Sequence, residues 1–517
     1  MQLINLKSYP KYLFYLFVFS FLLRSMGVLY GLPLHINIDE PALISTALTL
    51  RHNINPGHFD WPHLYFYATG VFYFIAGLLR VILSSFVSLP DLINSESFFF
   101  IVSRLMSAFI GGLMIFPVYK ISKTAFGKKT AVISVLIVSI LPVWVYESHF
   151  AKIDVPLALF SAFSIYYLYK LTHSPSKSNY IKAGLLIGLS ASIKYTGVLL
   201  ILMLLWVHLF QGNKLKDLRS RLKGIILAGI FFVLGFFAGT PFALLDYKAF
   251  LSNERGVGAL WQFTNLGKVS WPEYPVSLYN TFVTMFKADL GVLLWVVFSI
   301  LLIHFLFFNK RDKKYVFFIV PFLFYSFYVS SFQRSPSHYF LFLIPLYLPV
   351  LSDYIMQIAG YLREKSRIKI LNPLSFTAVF ATLVIIPSVY LSFYSVMMHV
   401  KSDTRLTAYK WLETNVKDED FLYVYGLELK DIELKKDNIE WVTELDRDKI
   451  ELNPPFYVIV GQPDVPPSDI LSGDRKSLYY EGAPRRLFEY AELGLYAPNT
   501  NRLGPPIYIF YVDRIDQ

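Results

Sequence analysis

The sequence predicts a polytopic α-helical membrane protein, about 11 transmembrane helices followed by a small extracytoplasmic α/β domain. Three observations predict it. Apolar runs long enough to cross a hydrocarbon core, which takes roughly 20 helical residues, recur from the N-terminus to about residue 395. Basic residues gather in the short loops between those runs. From about Lys401 to Gln517 the character changes, with frequent charges and prolines and no apolar run long enough to span. The expected boundaries are therefore 1–395 for the membrane module and 396–517 for the water-facing domain.

Composition bears this out at the level of class. Of the 517 residues 55% are hydrophobic and only 16% charged, too apolar for the surface of a soluble globule. The net charge of +11 does not point to nucleic acid, because the cations sit in loops: Lys123, Lys128 and Lys129; Lys214, Lys216, Arg219, Arg221 and Lys223; Lys310, Arg311, Lys313 and Lys314; Arg363, Lys365, Arg367 and Lys369. That pattern marks cytoplasmic loops. The lack of cysteine removes disulfides and thiolate metal sites. Lys7 and Lys11 precede an apolar run with no small-residue cleavage site after it, as in a retained first helix.

Crossings are expected near 13–31, 101–122, 131–147, 155–171, 180–193, 197–210, 224–239, 289–308, 315–331, 338–358 and 373–395. With the N-terminus in the cytoplasm, these put every basic loop inside, and Asp39, Glu40, Asp154, Lys194, Asp246, Arg334 and the C-terminal domain outside. The apolar stretch from His63 to Leu83 is also long enough to cross, but crossing there would carry the Lys123 to Lys129 loop outside. It is read instead as an interfacial or re-entrant helix within a first external loop of residues 32–100, its many Tyr and Phe suiting the membrane–water boundary. The spans at 180–193 and 197–210 are short and are separated by Lys194-Tyr195-Thr196-Gly197. A lysine at such a break suits an anionic ligand.

The external side collects His35, Asp39, Glu40, the Asn55 to Pro62 stretch, Arg104, His149, Asp154, Lys194, Asp246, Arg334, His338 and Tyr339. Asp39 and Glu40 follow the first apolar segment directly, where carboxylates read as lining a wet pocket. Either suits a general base, and either also suits the start of a helix near Pro41. Arg104 and Lys194, near outer helix ends, suit a phosphate held by charge-assisted hydrogen bonds, or snorkelling toward lipid headgroups. Arg334 to Tyr339 brings a guanidinium, an imidazole and a phenol within six positions. His58, Asp60 and His63 are metal-ligand types, yet the histidines are five apart with Trp61 and Pro62 between, which matches no helical ligand pair. A metal therefore stays unknown, and no cofactor is implied beyond an open place for a divalent cation. No glycine loop of the phosphate-cradling kind occurs, which argues against a nucleotide substrate.

Taken in order, Asp39-Glu40-Pro41 after the first helix, NPGHFDWPHLY, SRLMSAFIGGLMIFPVYKISKTAFGKKTA, ESHFAKIDVP, ASIKYTG, GTPFALLD and RSPSHYFLFLIPL resemble the GT-C glycosyltransferases. Within these the chain looks like relatives of the dolichyl-phosphate-mannose protein mannosyltransferases and of the aminoarabinose transferases that modify lipid A. The resemblance covers roughly the first 395 residues. It implies a cell-envelope enzyme of the phospholipid carrier-dependent kind, transferring a hexose or pentose with inversion from a polyprenyl-phosphate donor. The acceptor is a glycan, lipid or protein on the external face of the cytoplasmic membrane. It implies Asp39 as general base with Glu40 beside it, and Asp154, His149 and His58 as substrate-positioning groups. Arg104, Lys194, Arg334, His338 and Tyr339 are implied around the donor phosphate. The partners are then the lipid-linked donor, the bilayer and an unidentified acceptor, without nucleic acid.

The C-terminal domain carries no MIR-like repeats, so a protein hydroxyl acceptor is not implied. SDTRLTAYKWLETNV reads as an amphipathic helix through Leu406, Tyr409, Trp411 and Leu412, and FLYVYG, PPFYVIVGQ and PPIYIFYV read as strands. The competing class is a lipid or solute transporter or flippase, which also needs intramembrane charge and broken helices. Against it, no inverted repeat links the two halves, and the polar groups gather on one face instead of the midplane.

Overall fold

A computed structural model of the chain describes residues 9–34, 37, 39–88, 90–210, 218–264, 267–308, 312–365 and 372–401, some positions between 403 and 417, and five strands between 421 and 512. It divides into two compact units, Met1–Ser25 with Asp39–Tyr394, and Met26–Ile38 with Ser395–Gln517.

In the first unit a helix lies under each segment expected to span. They are Lys11–Ser25; Ser97–Leu113 with Ile115–Phe126; Lys128–Ile140 with Pro142–Glu147; Asp154–His173; Lys177–Ala191; Leu200–Val207 after the tight turn Tyr195–Leu199; Leu218–Gly239; Val292–Phe307; Lys313–Ser330; Ile344–Lys365 after Ser337–Leu343; and Pro373–Val400, whose end belongs to the second unit. Five stretches among the described residues are long and apolar enough to cross a membrane: Leu64–Ser84, Ser97–Phe126, Ser220–Gly239, Ser337–Lys365 and Pro373–Val400. Leu64–Ser84, expected as an interfacial or re-entrant helix, is a single unbroken helix of 21 residues, about 31 Å long at the α-helical rise, and it turns Val71, Phe74, Leu79 and Val81 outward. It has no reversal of the re-entrant kind, and its length and apolar surface suit the interface and a crossing alike.

Asp154–His173 is an enclosed helix, with Val155, Ala158, Ala162, Ile165, Leu168 and Leu171 all at 0% exposure. An apolar surface on every side suits a helix surrounded by others. Beside it, Lys177–Ala191 crosses Leu218–Gly239 backbone against backbone. A Cβ built at Gly184 would meet the Ala228 carbonyl oxygen at 2.1 Å, and one at Gly188 the Phe232 carbonyl oxygen at 2.2 Å. This is the small-xxx-small approach that lets membrane helices pack closely. Arg24, 1% exposed, donates to the Ser139 carbonyl at 3.0 Å and the Val138 carbonyl at 3.1 Å, closing the C-terminal end of Lys128–Ile140 where orphan carbonyls gather.

In the second unit the strands are β1 Phe421–Tyr425, β2 Ile439–Val442, β3 Phe456–Val460, β4 Arg485–Tyr490 and β5 Ile507–Val512. They form one sheet in the order β2-β1-β3-β5-β4. β1 runs parallel to β2 and β3, while β5 runs antiparallel to β3 and β4. The three expected strands fall on β1, β3 and β5. The expected amphipathic helix, with Tyr409, Trp411 and Leu412, lies largely outside the described residues. Within this unit the Tyr30 hydroxyl donates to Asp403, whose carboxylate also accepts from Arg405 Nε at 2.9 Å.

Candidate active site

Asp39 and Glu40 open the helix Asp39–Thr49, where carboxylates favour the positive end of the helix dipole. Successive helical residues are about 100° apart, so the two acids face different surroundings. Glu40 turns inward and is 0% exposed. Its carboxylate accepts from Arg104 Nε at 2.8 Å and Arg104 NH2 at 2.6 Å, and from the Ala151 N–H at 2.9 Å. Arg104 is itself 2% exposed. A buried charge pair of this geometry, bidentate and with a further donor, meets the condition under which burial of two charges is tolerated.

Asp39 turns the other way. Its side chain is 46% exposed and lies 3.5 Å from Lys152 Nζ, on the wall of a cavity of about 230 Å³. The same cavity is lined by Asp60, Lys152, Asp154, Lys194, His338 and Tyr339. Lys152 stands between two acids, donating to Glu147 Oε2 at 3.1 Å while facing Asp39. Burial works to lower its pKa, but the carboxylates of Glu147 and Asp39 outweigh burial and raise it, so the ammonium stays charged. Glu147 Oε1 is 3.8 Å from His338 Nδ1. Lys194 donates to Asp154 Oδ1 at 2.7 Å and lies 4.2 Å from the centre of the Tyr339 ring, a cation–π distance. Lys194 sits at the expected break: Lys177–Ala191 ends, two turn residues follow, and Lys194 is extended before Tyr195–Leu199 begins.

The Asn55 to Pro62 stretch closes one side. His58 pairs through Nδ1 with Asp60 Oδ1 at 3.1 Å and through Nε2 with Thr46 Oγ1 at 2.9 Å. Burial acts to raise the Asp60 pKa, but the hydrogen bond and charge of His58 prevail and hold it below the usual carboxylate value. Tyr195 donates its hydroxyl to the Phe59 carbonyl at 2.6 Å. His63 donates Nε2–H to the His58 carbonyl at 2.9 Å, and burial pushes its pKa down to about 4. Its imidazole is thus a structural strut. Among the described residues no group of three or more His, Asp or Glu is placed to hold a metal ion.

The structure brings together Asp39, Asp154, Lys194, His338 and Tyr339 on one cavity, with His58 one step behind Asp60. It sets Glu40 and Arg104 against each other behind that wall. His149 is buried, its Nδ1 2.7 Å from the Val145 carbonyl. Arg334 is exposed and stands off the cavity wall, and His35 lies outside the described residues. Glu147 and Lys152 are the pair that residue-by-residue reading passed over. Both stand inside ESHFAKIDVP, where a glutamate and a lysine five apart, flanking two short helix ends, were the available signal.

Residues 93–238 match the family model described as dolichyl-phosphate-mannose-protein mannosyltransferase. That segment makes up less than half of the chain. It contains Arg104, the Glu147-Lys152-Asp154 group and Lys194, and the family it matches is one of transferases, not transporters. Among curated proteins none matches the chain significantly by sequence. Similar solved structures include the Archaeoglobus fulgidus oligosaccharyltransferase in the apo form, at 13% identity over 80% of this chain and 62% of that one, with a TM-score of 0.46. The chain therefore spans less than two thirds of that protein. ArnT from Cupriavidus metallidurans bound to undecaprenyl phosphate is similar at 14% identity over 86% of this chain and 92% of that one, TM-score 0.49. Its apo state gives 13%, 96%, 97% and 0.47.

Proposed function

We propose that this multi-pass membrane protein is an inverting glycosyltransferase that moves a sugar from a polyprenyl-phosphate donor to an acceptor at the external face of the cytoplasmic membrane. The observation that carries the reading is one cavity on which a solvent-reaching carboxylate, Asp39, meets the cations Lys152 and Lys194. The matched family works from a dolichyl-phosphate-linked sugar, which makes a lipid-linked phosphate the leaving group.

In this reading the acceptor hydroxyl gives its proton to the Asp39 carboxylate as its oxygen attacks the anomeric carbon. The bond from that carbon to the phosphate oxygen breaks, the phosphate leaves with the electron pair, and configuration inverts because attack and departure are on opposite faces. Lys194, oriented by Asp154 and by the Tyr339 ring, lies where charge on the departing phosphate is stabilised. Lys152 holds Asp39 in place and offsets part of the charge of Asp39 and Glu147. Glu40 and Arg104 act as positioning residues that fix the first turn of Asp39–Thr49. The eleven spans, N-terminus inside and the α/β domain of residues 396–517 outside, belong to the same proposal and rest on the basic loops.

The test is transfer of labelled sugar from polyprenyl-phosphate donors by purified protein in liposomes, with a membrane extract as acceptor source. Asp39→Asn is expected to lose transfer while retaining donor binding. Equal transfer by the folded variant and the wild type removes Asp39 as the base.

A further inference from the structure

Next to the charged cavity, across a single stretch of backbone, lies a second hollow of about 450 Å³ with the opposite chemistry. The partition is the segment from Ser331 to Gln333, bridged to Lys268 and its neighbours: Val269 N–H donates to the Ser331 carbonyl at 2.9 Å, and Gln333 N–H to the Gly267 carbonyl at 2.9 Å. Neighbouring residues in extended chain point to opposite sides. Accordingly Phe332 lines the charged cavity and Gln333 lines the second hollow. Gln333 lies tight over Gly267, where an added Cβ would meet its Oε1 at 2.2 Å.

The floor is the π-helical turn Asn280–Met285, a form found mostly as single turns and often at functional sites. It presents Asn280, Thr281 and Thr284 to the hollow. Ser277 Oγ donates to the Ser330 carbonyl at 2.6 Å, and Thr281 Oγ1 pairs with Ser330 Oγ at 2.9 Å, so floor and partition are tied together. Asn280, Thr284 and Gln333 are exposed and offer amides and a hydroxyl, each able both to donate and to accept. The lining holds one carboxylate, Glu273, and no lysine, arginine or histidine. Glu273 Oε2 accepts from Ser270 Oγ at 2.8 Å. Two residues earlier, Trp271 is 86% exposed, its ring 6.2 Å from that of Tyr274.

Such a lining is wrong for a phosphate, which needs cations, and right for a neutral polyol, which presents many hydroxyls each needing a donor and an acceptor. An exposed aromatic beside it suits the apolar face of a pyranose. We infer that this hollow is the subsite for a carbohydrate acceptor, approached from Trp271 and held by Asn280, Thr284 and Gln333. The inference rests on the glycosyltransferase reading for the word acceptor, and on the lining alone for the word carbohydrate.

The experiment is saturation-transfer NMR on the purified full chain, with methyl α-mannoside, methyl β-galactoside and mannotriose as probes and no donor present. Wild type is expected to give signals from at least one saccharide. The variant Asn280→Leu/Gln333→Leu should weaken that signal by about tenfold, the size of one or two lost hydrogen bonds, and Lys194→Met should leave it unchanged. Circular dichroism and melting temperature establish that each variant is folded. Absence of saccharide signals in wild type, or equal signals in wild type and the Asn280/Gln333 variant, overturns the inference. A saccharide signal lost in that variant, from a protein that never turns over donor, sustains the sugar site and sinks the transferase reading instead.

Discussion

Asp39 and Glu40 are adjacent, chemically alike and in one helical turn, yet they face opposite environments. Glu40 is dry, fully buried and bound by three donors; Asp39 is half exposed and lies 3.5 Å from Lys152 Nζ. The difference teaches how one helical turn can bury one carboxylate and leave its neighbour open to a cavity. The buried neighbour, locked to Arg104, fixes the first helical turn, and the exposed one is then held by the buried Lys152 at its rim.

The largest expected effect comes from breaking the locked side. Arg104→Leu leaves Glu40 as an unpaired buried charge and should destabilise the protein by about 3–5 kcal/mol, read as loss of folded protein after detergent extraction. Adding Glu40→Leu should recover much of that loss, whereas a catalytic role for Glu40 predicts folded but inactive protein for Glu40→Gln. Breaking the open side should do the reverse. Asp39→Asn should leave stability within about 0.5 kcal/mol of wild type and cut transfer by about a hundredfold or more. Between these lies Lys152→Met, which strips a buried partner from Glu147 and should cost about 1–3 kcal/mol. Lys152→Met/Glu147→Gln should regain most of it in a thermal melt, and no recovery would show that the two residues are not coupled.

A further effect is in pH. His63 has a folded pKa of about 4 against 6.5 ordinarily, so the unfolded chain takes up the proton first as pH falls. Its contribution to stability is complete above about pH 6.5 and is lost progressively from there down to about pH 4. Melting temperatures between pH 8 and 4 should show that decline in wild type and a flatter profile in His63→Gln. Asp60, held below the usual carboxylate value, adds its loss only below that window.

How much of this was legible depended on range. Apolar runs and basic loops are local, and helices stand where those runs predicted them; the Lys194 break was legible because a lysine and a glycine interrupt two short runs. The partner of Arg104 was not, since 64 positions separate it from Glu40 and no periodicity encodes a contact made by packing. Arg104 near a helix end looked available for a phosphate until the fold placed a buried carboxylate against it. Lys152 was hidden for another reason: a lysine in a short connection looks solvated, and only the convergence of Glu147 and Asp39 shows that it is enclosed. Leu64–Ser84 shows the limit of composition, because aromatic content and length together describe an interfacial helix and a spanning one equally well.

The glycine crossing of Lys177–Ala191 against Leu218–Gly239 has a mechanical meaning. With main chain touching main chain at Gly184 and Gly188, nothing compressible lies between the two rods, and the end of the first is a fixed post instead of a spring. Lys194 is mounted three residues beyond that end. In the proposed reaction a lipid-borne anion arriving by lateral diffusion would dock to a stationary charge, and the adjustment would fall to the ligand.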